Sequence, residues 1–594
     1  VSKQSKRELA DMKAKRAALN DLTGAELTQA GAKKVNIALA DEMFFAMEAD
    51  VLEEAGRATH GYKDALLNLK TTLTMSIATV KAYWLETYKA HLGQQEASIS
   101  ARILAFSMAS LKTDMLVIVI NKNTKSDSSF KELNKISKNY ISKTISSHLK
   151  DSSSNVLLPK IDGIAAANIL LANGLDSSAP THKWLSMYQS IAHKGNSLKC
   201  KDISIMPGSI SPAKKDEFWL IETVAKTIES SVYIFSETKN KTATKPTVKK
   251  LTILTSGLSG SNLTKAKHAA KTGYAIGEGV NTAKYLGDLP ANHCTPRIIE
   301  KKVKAMTKDF PNLKVKSFNE QQMQKMGMGS FLSVSRGSEE PARMMVIEYK
   351  GGKANEKPIA LVGKGVTFDT GGVSIKPSPA MDEMKWDMCG AATVFGVMST
   401  LARLNANVNV VGVMGCAENM CSSKATKPGD VVTSMSGQTI EILNTDAEGR
   451  LILADCLTFV GKYKPSYVID MATLTGAVVV ALGRHASGVM ANDQHLAEKI
   501  IEAGEESGDR AWQLPLWDEH QSCTKTKYAD LANIGGGREA GTIHAAAFLS
   551  KFTNDYKWAH IDIAATASYS SPVKAGTGRP VPLISQLLLS KKLK

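Results

Sequence analysis

The chain is poor in cysteine, and the seven it has, at 200, 294, 389, 416, 421, 456 and 523, contain no CxxC pair. An odd, scattered set excludes a disulfide framework and reads as reduced thiols in a cytosol-like compartment, so a cytoplasmic location is expected. Long hydrophobic runs are missing as well. A spanning helix needs about 18 or more apolar residues, and stretches such as Met115–Ile120 are far shorter, so no transmembrane helix is expected. The first residues (VSKQSKR) carry charge without an apolar stretch behind it, which argues against a secretory leader. There is no HExxH, which excludes a helix-borne single-zinc protease, and no GxSxG elbow or GxxxxGK[ST] loop. Apolar residues at 43% and charged residues at 22% exclude disordered and low-complexity classes. With 594 residues there is room for about three domains.

What is abundant is lysine, and it is unevenly placed. The net charge is +17, and residues 108–280 hold 24 basic against 13 acidic side chains, every basic one a lysine. A lysine-rich solvated surface accounts for this. A polyanion such as DNA is the sharper alternative, and its attraction would be screened by salt.

Three segments follow from patterning. Residues 1–107 read as helix nearly throughout, with Leu66, Leu69, Leu73, Ile77, Val80 and Trp84 at three- to four-residue spacing, no proline, and breaks between helices at Gly24, Gly31, Gly56, Gly61 and Gly93. They form a helical segment of unknown role, appended or used for assembly. Residues 108–262 alternate strand-like runs (Met115–Asn121, Ile203–Met206, Ser231–Ile234, Leu251–Thr255) with helical ones (Phe130–Ser147, Asp216–Glu229), which predicts a smaller α/β domain. Residues 263–594 open with a helix to about Leu286. Strands at Ile359–Val362, Val408–Met414, Thr439–Leu443 and Tyr467–Met471 then alternate with helices such as Ala391–Leu404 and Leu451–Val460. The expectation is an α/β/α domain on a mostly parallel sheet, with its ligands beyond the carboxyl ends of the strands.

Those strand ends carry charge where a plain turn would suffice. The first is followed by Lys364, Asp369 and Lys376, another loop holds Asp387, and a third holds Asp446, Glu448 and Arg450. Four carboxylates packed in a dry cleft would repel one another and take up protons. Their charge balances two divalent cations, and oxygen-rich ligation suits a two-metal site. Each residue alone has a simpler account. Asp446 could cap the next helix, Lys376 could be solvated, and the glycines at 371–372 and 535–537 could be turns.

The motif NTDAEGR (444–450) resembles the signature of the leucyl aminopeptidase (cytosol aminopeptidase) family of two-zinc exopeptidases. VGKGVTFDTGGVSIK (362–376), KPGD (427–430), MSGQ (435–438), MATLTG (471–476), ADLANIGG (529–536) and WAHIDI (558–563) resemble further family blocks, in the family's order. The likeness is strong over 280–580, weak over 108–262 and absent from 1–107.

The resemblance implies that Lys364, Asp369, Asp387, Asp446 and Glu448 ligate two divalent ions, Zn2+ or Mn2+, with Mg2+ an alternative at one site. Asp369 and Glu448 would bridge them. Lys364 and Asp387 would complete one site, and Asp446, with a backbone carbonyl, the other. Lys376 and Arg450 would be the catalytic pair, the arginine holding a bicarbonate that acts as general base. Met384, Asn444, Thr473, Leu474 and Gly476 match substrate-binding positions, the apolar ones suiting leucine-like first residues of a peptide. A homohexamer is also implied, and some family members bind DNA. A ligating lysine must be neutral, and deprotonating it at pH 7 costs roughly 4–5 kcal/mol that nearby dications must supply.

Overall fold

The computed structural model describes residues 108–593, apart from 122–123, 125–126, 149–154, 209, 241–244, 256–257, 259, 536 and 591; the helices expected over 1–107 lie outside the described residues. The first sheet comprises β1 (Met115–Ile120), β2 (Asn155–Leu158), β3 (Asn168–Asn173), β4 (Asp202–Met206) and β5 (Lys250–Ile253). Its order is β2-β3-β1-β4-β5, antiparallel only at the β2 edge. All six residues of β1 are buried, as a parallel strand covered on both faces requires.

Strands β6 (Leu313–Phe318), β7 (Arg343–Lys350), β8 (Ile359–Asp369), β9 (Asn409–Asn419), β10 (Asp430–Thr433), β11 (Thr439–Ile442), β12 (Tyr467–Ala472), β13 (Ser487–Ala491), β14 (Ala511–Gln513), β15 (Leu531–Ala532) and β16 (Trp558–Asp562) follow. Eight of them form one sheet in the order β14-β13-β16-β12-β8-β9-β7-β6. The centre, β16-β12-β8-β9, is parallel, and antiparallel pairs flank it. Strand β8 sends Leu361 into one core and Ala360 and Val362 into the other. The first core is closed by helices Gly260–Asp288, Cys389–Leu404 and Val581–Leu589, the second by Gly449–Val460 and Gly541–Ser550. The result is the expected α/β/α layering on a parallel-rich sheet.

Helix Gly260–Asp288 ties the two sheets together. Its Ala266, Ala269 and Ala270 pack in the core of the first sheet, and Val280, Ala283 and Leu286 in that of the second. The position between 262 and 263 thus falls inside one continuous helix. Among the described residues no helix is long and apolar enough to cross a membrane.

Four local expectations are corrected. Ser231–Ile234 is not a strand: helix Glu217–Val232 runs through its start, because Val224, Ile228 and Val232 continue a buried helical stripe. The stretch Phe130–Ser147 is two helices, Ser128–Ile136 and Tyr140–His148, broken where Lys138 and Asn139 take positive φ. Thr439–Ile442 forms, but it lies in a small separate sheet, β10-β11-β15. Strand β8 does not end at Val362. It runs on to Asp369, so Lys364 and Asp369 are strand residues rather than loop residues.

Candidate metal centre

The site sits where the fold predicts it, beyond the carboxyl ends of the central parallel strands. Lys364 and Asp369 come from the last part of β8, whose pairing with β9 is irregular between Val366 and Asp369. Asp387 closes the short helical turn Met381–Trp386 just before helix Cys389–Leu404. Glu448 occupies the N-cap position of helix Gly449–Val460 without capping it, and Asp446 lies two residues further out, so Asp446 is not the cap of that helix. The positive ends of two helices thus face the carboxylates. Gly363 lets the first of these helices approach, since a β-carbon there would lie 2.5 Å from the Gly390 carbonyl oxygen.

Asp369, Asp446 and Glu448 bring carboxylate oxygens within 4.8 Å of one another. Asp387 stands outside that triplet and joins it through Lys364. The Lys364 amine lies 2.8 Å from Asp387 Oδ1, 2.8 Å from Glu448 Oε1 and 2.9 Å from the Thr473 carbonyl oxygen. The Lys376 amine lies 2.7 Å from Asp369 Oδ2 and 2.5 Å from Asp446 Oδ1. Lys364 is 3% exposed and Lys376 20%, so one lysine is internal and the other faces the open side.

Charge dominates this pocket. Burial and the neighbouring Glu448 raise Asp369, and burial raises Asp387 well above the carboxylate range, with Lys364 opposing. Asp446 is raised by burial. Burial works against the charge on Lys364, but Asp387, Glu448 and Asp369 outweigh it and hold its proton above the usual lysine range. Lys376 is likewise raised, its carboxylate neighbours, Asp369 foremost, overcoming burial. Four carboxylates face two ammonium groups, so the cluster carries excess negative charge. Among the described residues Asp387 Oδ2 is buried without a hydrogen-bond partner, and Asp446 Oδ1 and Glu448 Oε1 touch lysine without hydrogen-bond geometry. Oxygen-rich, negatively charged and under-satisfied, these residues fit divalent cations.

Arg450, two residues after Glu448, is buried. Its Nη1 donates to the Asn533 carbonyl at 2.8 Å, while its Nε has no partner among the described residues. Burial pushes its pKa down to about 10. A buried guanidinium edge lacking an acceptor fits an oxyanion. Of the expected substrate positions, Met384 is half-buried in the turn before Asp387, and Leu474 is half-buried against the core. Thr473 donates its hydroxyl to Asp387 Oδ1 at 2.7 Å, and Gly476 is exposed at a helix start. Asn444 accepts from the Asp446 N–H at 2.8 Å.

Two supporting residues escaped the sequence reading. Asn419, at the end of β9, donates to Asp369 Oδ1 at 2.8 Å and to the Thr445 carbonyl at 3.0 Å, linking two carboxylate-bearing segments. Asn533, at the end of β15, braces the 443–447 loop. Asn533 lies within the ADLANIGG block, which gave it no role of its own, and Asn419, outside every quoted block, carries no signal until the topology brings its partner loop beside it.

The family model described as "Cytosol aminopeptidase family, catalytic domain" matches residues 281–585. A probable cytosol aminopeptidase of Nitrosococcus oceani is 44% identical over 484 residues, 81% of this chain and 96% of the relative. Among solved structures, a mutant of tomato leucine aminopeptidase aligns with a TM-score of 0.72 at 29% identity, covering 83% of this chain and 96% of its own. The bottromycin maturation enzyme BotP aligns at 0.68 and 26% identity, covering 81% and 99% respectively.

Proposed function

This chain belongs to the cytosol aminopeptidase family and is an aminopeptidase, and on that premise we propose that it releases N-terminal amino acids, leucine and other apolar residues preferred, at the centre built on Asp369, Asp446 and Glu448. Asp369 and Glu448 would bridge two divalent ions, zinc or manganese with magnesium an alternative at one site, with Lys364 and Asp387 completing one site and Asp446 the other. Ions bound there supply an ionised water near neutral pH and polarisation of the scissile carbonyl.

The chain's own groups divide the remaining work. Lys364 must give up a proton to ligate, which the surrounding carboxylates resist until a cation offsets them. Lys376 keeps its proton and stands on the open side, where positive charge meets the oxyanion of the tetrahedral intermediate. Arg450, with Nη1 anchored and Nε without a partner among the described residues, would hold bicarbonate as general base. Met384, Asn444, Thr473, Leu474 and Gly476 would frame the substrate's first residue, with broad selectivity, since one methylene in such a pocket is worth about 1–3 kcal/mol.

The observation that carries this reading is the approach of three carboxylates to within 4.8 Å with an internal lysine beside them. Hydrolysis of a leucyl chromogenic amide, abolished by a chelator and restored by zinc or manganese, tests it; activity indifferent to chelation sinks it. The family also supports a homohexamer and a cytoplasmic location, and sedimentation of the full chain tests the assembly.

A further inference from the structure

We propose that Asn533 is a positioning residue that fixes the Asp446–Glu448 loop and Arg450 relative to each other, an inference that rests on the metal-centre reading above. Asn533 is fully buried, just beyond the two residues with which β15 pairs to β11. Every polar atom it has is committed to the segment leading into the site. Its N–H donates to the Glu441 carbonyl at 2.9 Å, and its Oδ1 accepts from the Leu443 N–H at 2.9 Å and the Asn444 N–H at 3.4 Å. Its Nδ2 donates to the Asn444 carbonyl at 2.7 Å and the Ala447 carbonyl at 3.3 Å. Its own carbonyl receives Arg450 Nη1 at 2.8 Å.

The two carbonyls held by Nδ2 flank Thr445 and Asp446, so the amide clamps the peptide planes on both sides of the loop's outer ligand. Thr445 ties the loop's other side to the β8 segment, through Gly371 and Ser374. With Asn533 removed, that second tether remains and the ligands lose only their register with the arginine. Only an asparagine amide supplies both paired acceptor and paired donor contacts in so short a side chain. Groups that orient ligands in this way typically govern metal affinity by 10–100-fold.

The test compares Asn533→Ala and Asn533→Asp with Asn492→Ala in the full chain. The aspartate keeps the shape and the acceptor contacts but turns an acceptor onto two carbonyls. Asn492 makes comparable backbone contacts, to Thr553, Tyr556 and Trp558, away from the site. Chelator-treated proteins are titrated calorimetrically with Mn2+, unfolding midpoints are recorded, and kcat and KM are measured on a leucyl amide. We expect both Asn533 variants to bind one of two ions at least tenfold more weakly and to lose kcat by a similar factor, with Asn492→Ala unchanged in both. If alanine prevents folding, the isosteric aspartate decides. Two ions bound with unaltered affinity, or a kcat loss no greater than the loss of folded protein, overturns the inference. A wild-type chain that binds no Mn2+ overturns the metal-centre reading itself.

Discussion

Gly449 lies against the tip of Lys364: a β-carbon at this first helical residue would come within 2.5 Å of Cε and 2.8 Å of Nζ. The amine is pinned between Asp387, Glu448 and the Thr473 carbonyl, so it has little room to yield. Gly449→Ala, a change that favours helix by propensity, should therefore damage the site. We expect at least a tenfold weaker affinity for one metal ion, with the helix itself retained by circular dichroism. Unchanged metal affinity would show that Lys364 moves freely and is not held for ligation.

Removing the amine altogether separates the two sites. On the proposed assignment, Lys364→Ala should weaken the ion at Asp387 more than the one at Asp446, because the lysine forms ion pairs with Asp387 and Glu448 but, among the described residues, none with Asp446. Elemental analysis after dialysis should find nearer one ion than two per chain. Two ions held as tightly as before would refute the assignment of Lys364.

Protons and cations compete for the same atoms. In the ion-free protein Asp369 and Asp387 have pKa values above the unfolded carboxylate value, about 3.9, so the folded state binds the extra protons. Their contribution to stability therefore declines as pH rises from about 4 through the raised range. A bound cation removes that penalty. The rise in unfolding midpoint produced by a fixed free Mn2+ activity should accordingly be larger at pH 8 than at pH 6. Calorimetry at both pH values checks this, and a shift that shrinks with rising pH contradicts it.

The charged cluster itself was legible because its residues fall in motifs. NTDAEGR and VGKGVTFDTGG place Lys364, Asp369, Asp446, Glu448 and Arg450 within two short segments. The alternation of apolar runs announced the parallel strands for the same local reason. Long-range pairing was not legible. That Thr439–Ile442 leaves the main sheet depends on a strand contact with Leu531–Ala532, some ninety residues away. That β8 continues past Val362 to Asp369 depends on its pairing with β9, which the local sequence does not show. Ser231–Ile234 looked like a strand because β-branched and aromatic residues also end a buried helix.

Lys376 offers the cleanest separation of chemistry from binding. Its amine bridges Asp369 Oδ2 and Asp446 Oδ1 from the exposed side, while Lys364 serves the interior. If bound cations neutralise the carboxylates, as proposed above, the use left to Lys376 is to meet charge that appears only in the transition state. Losing one such preorganised donor typically costs about 10²–10³-fold in kcat. Lys376→Met, which keeps the aliphatic length, should fall within that range on a leucyl amide, with KM changed far less. Metal content should stay at the wild-type level, because removing a competing ammonium does not remove a ligand. A variant that loses metal instead would place Lys376 among the groups that build the centre, and a variant with normal kcat would leave the oxyanion without its assigned partner.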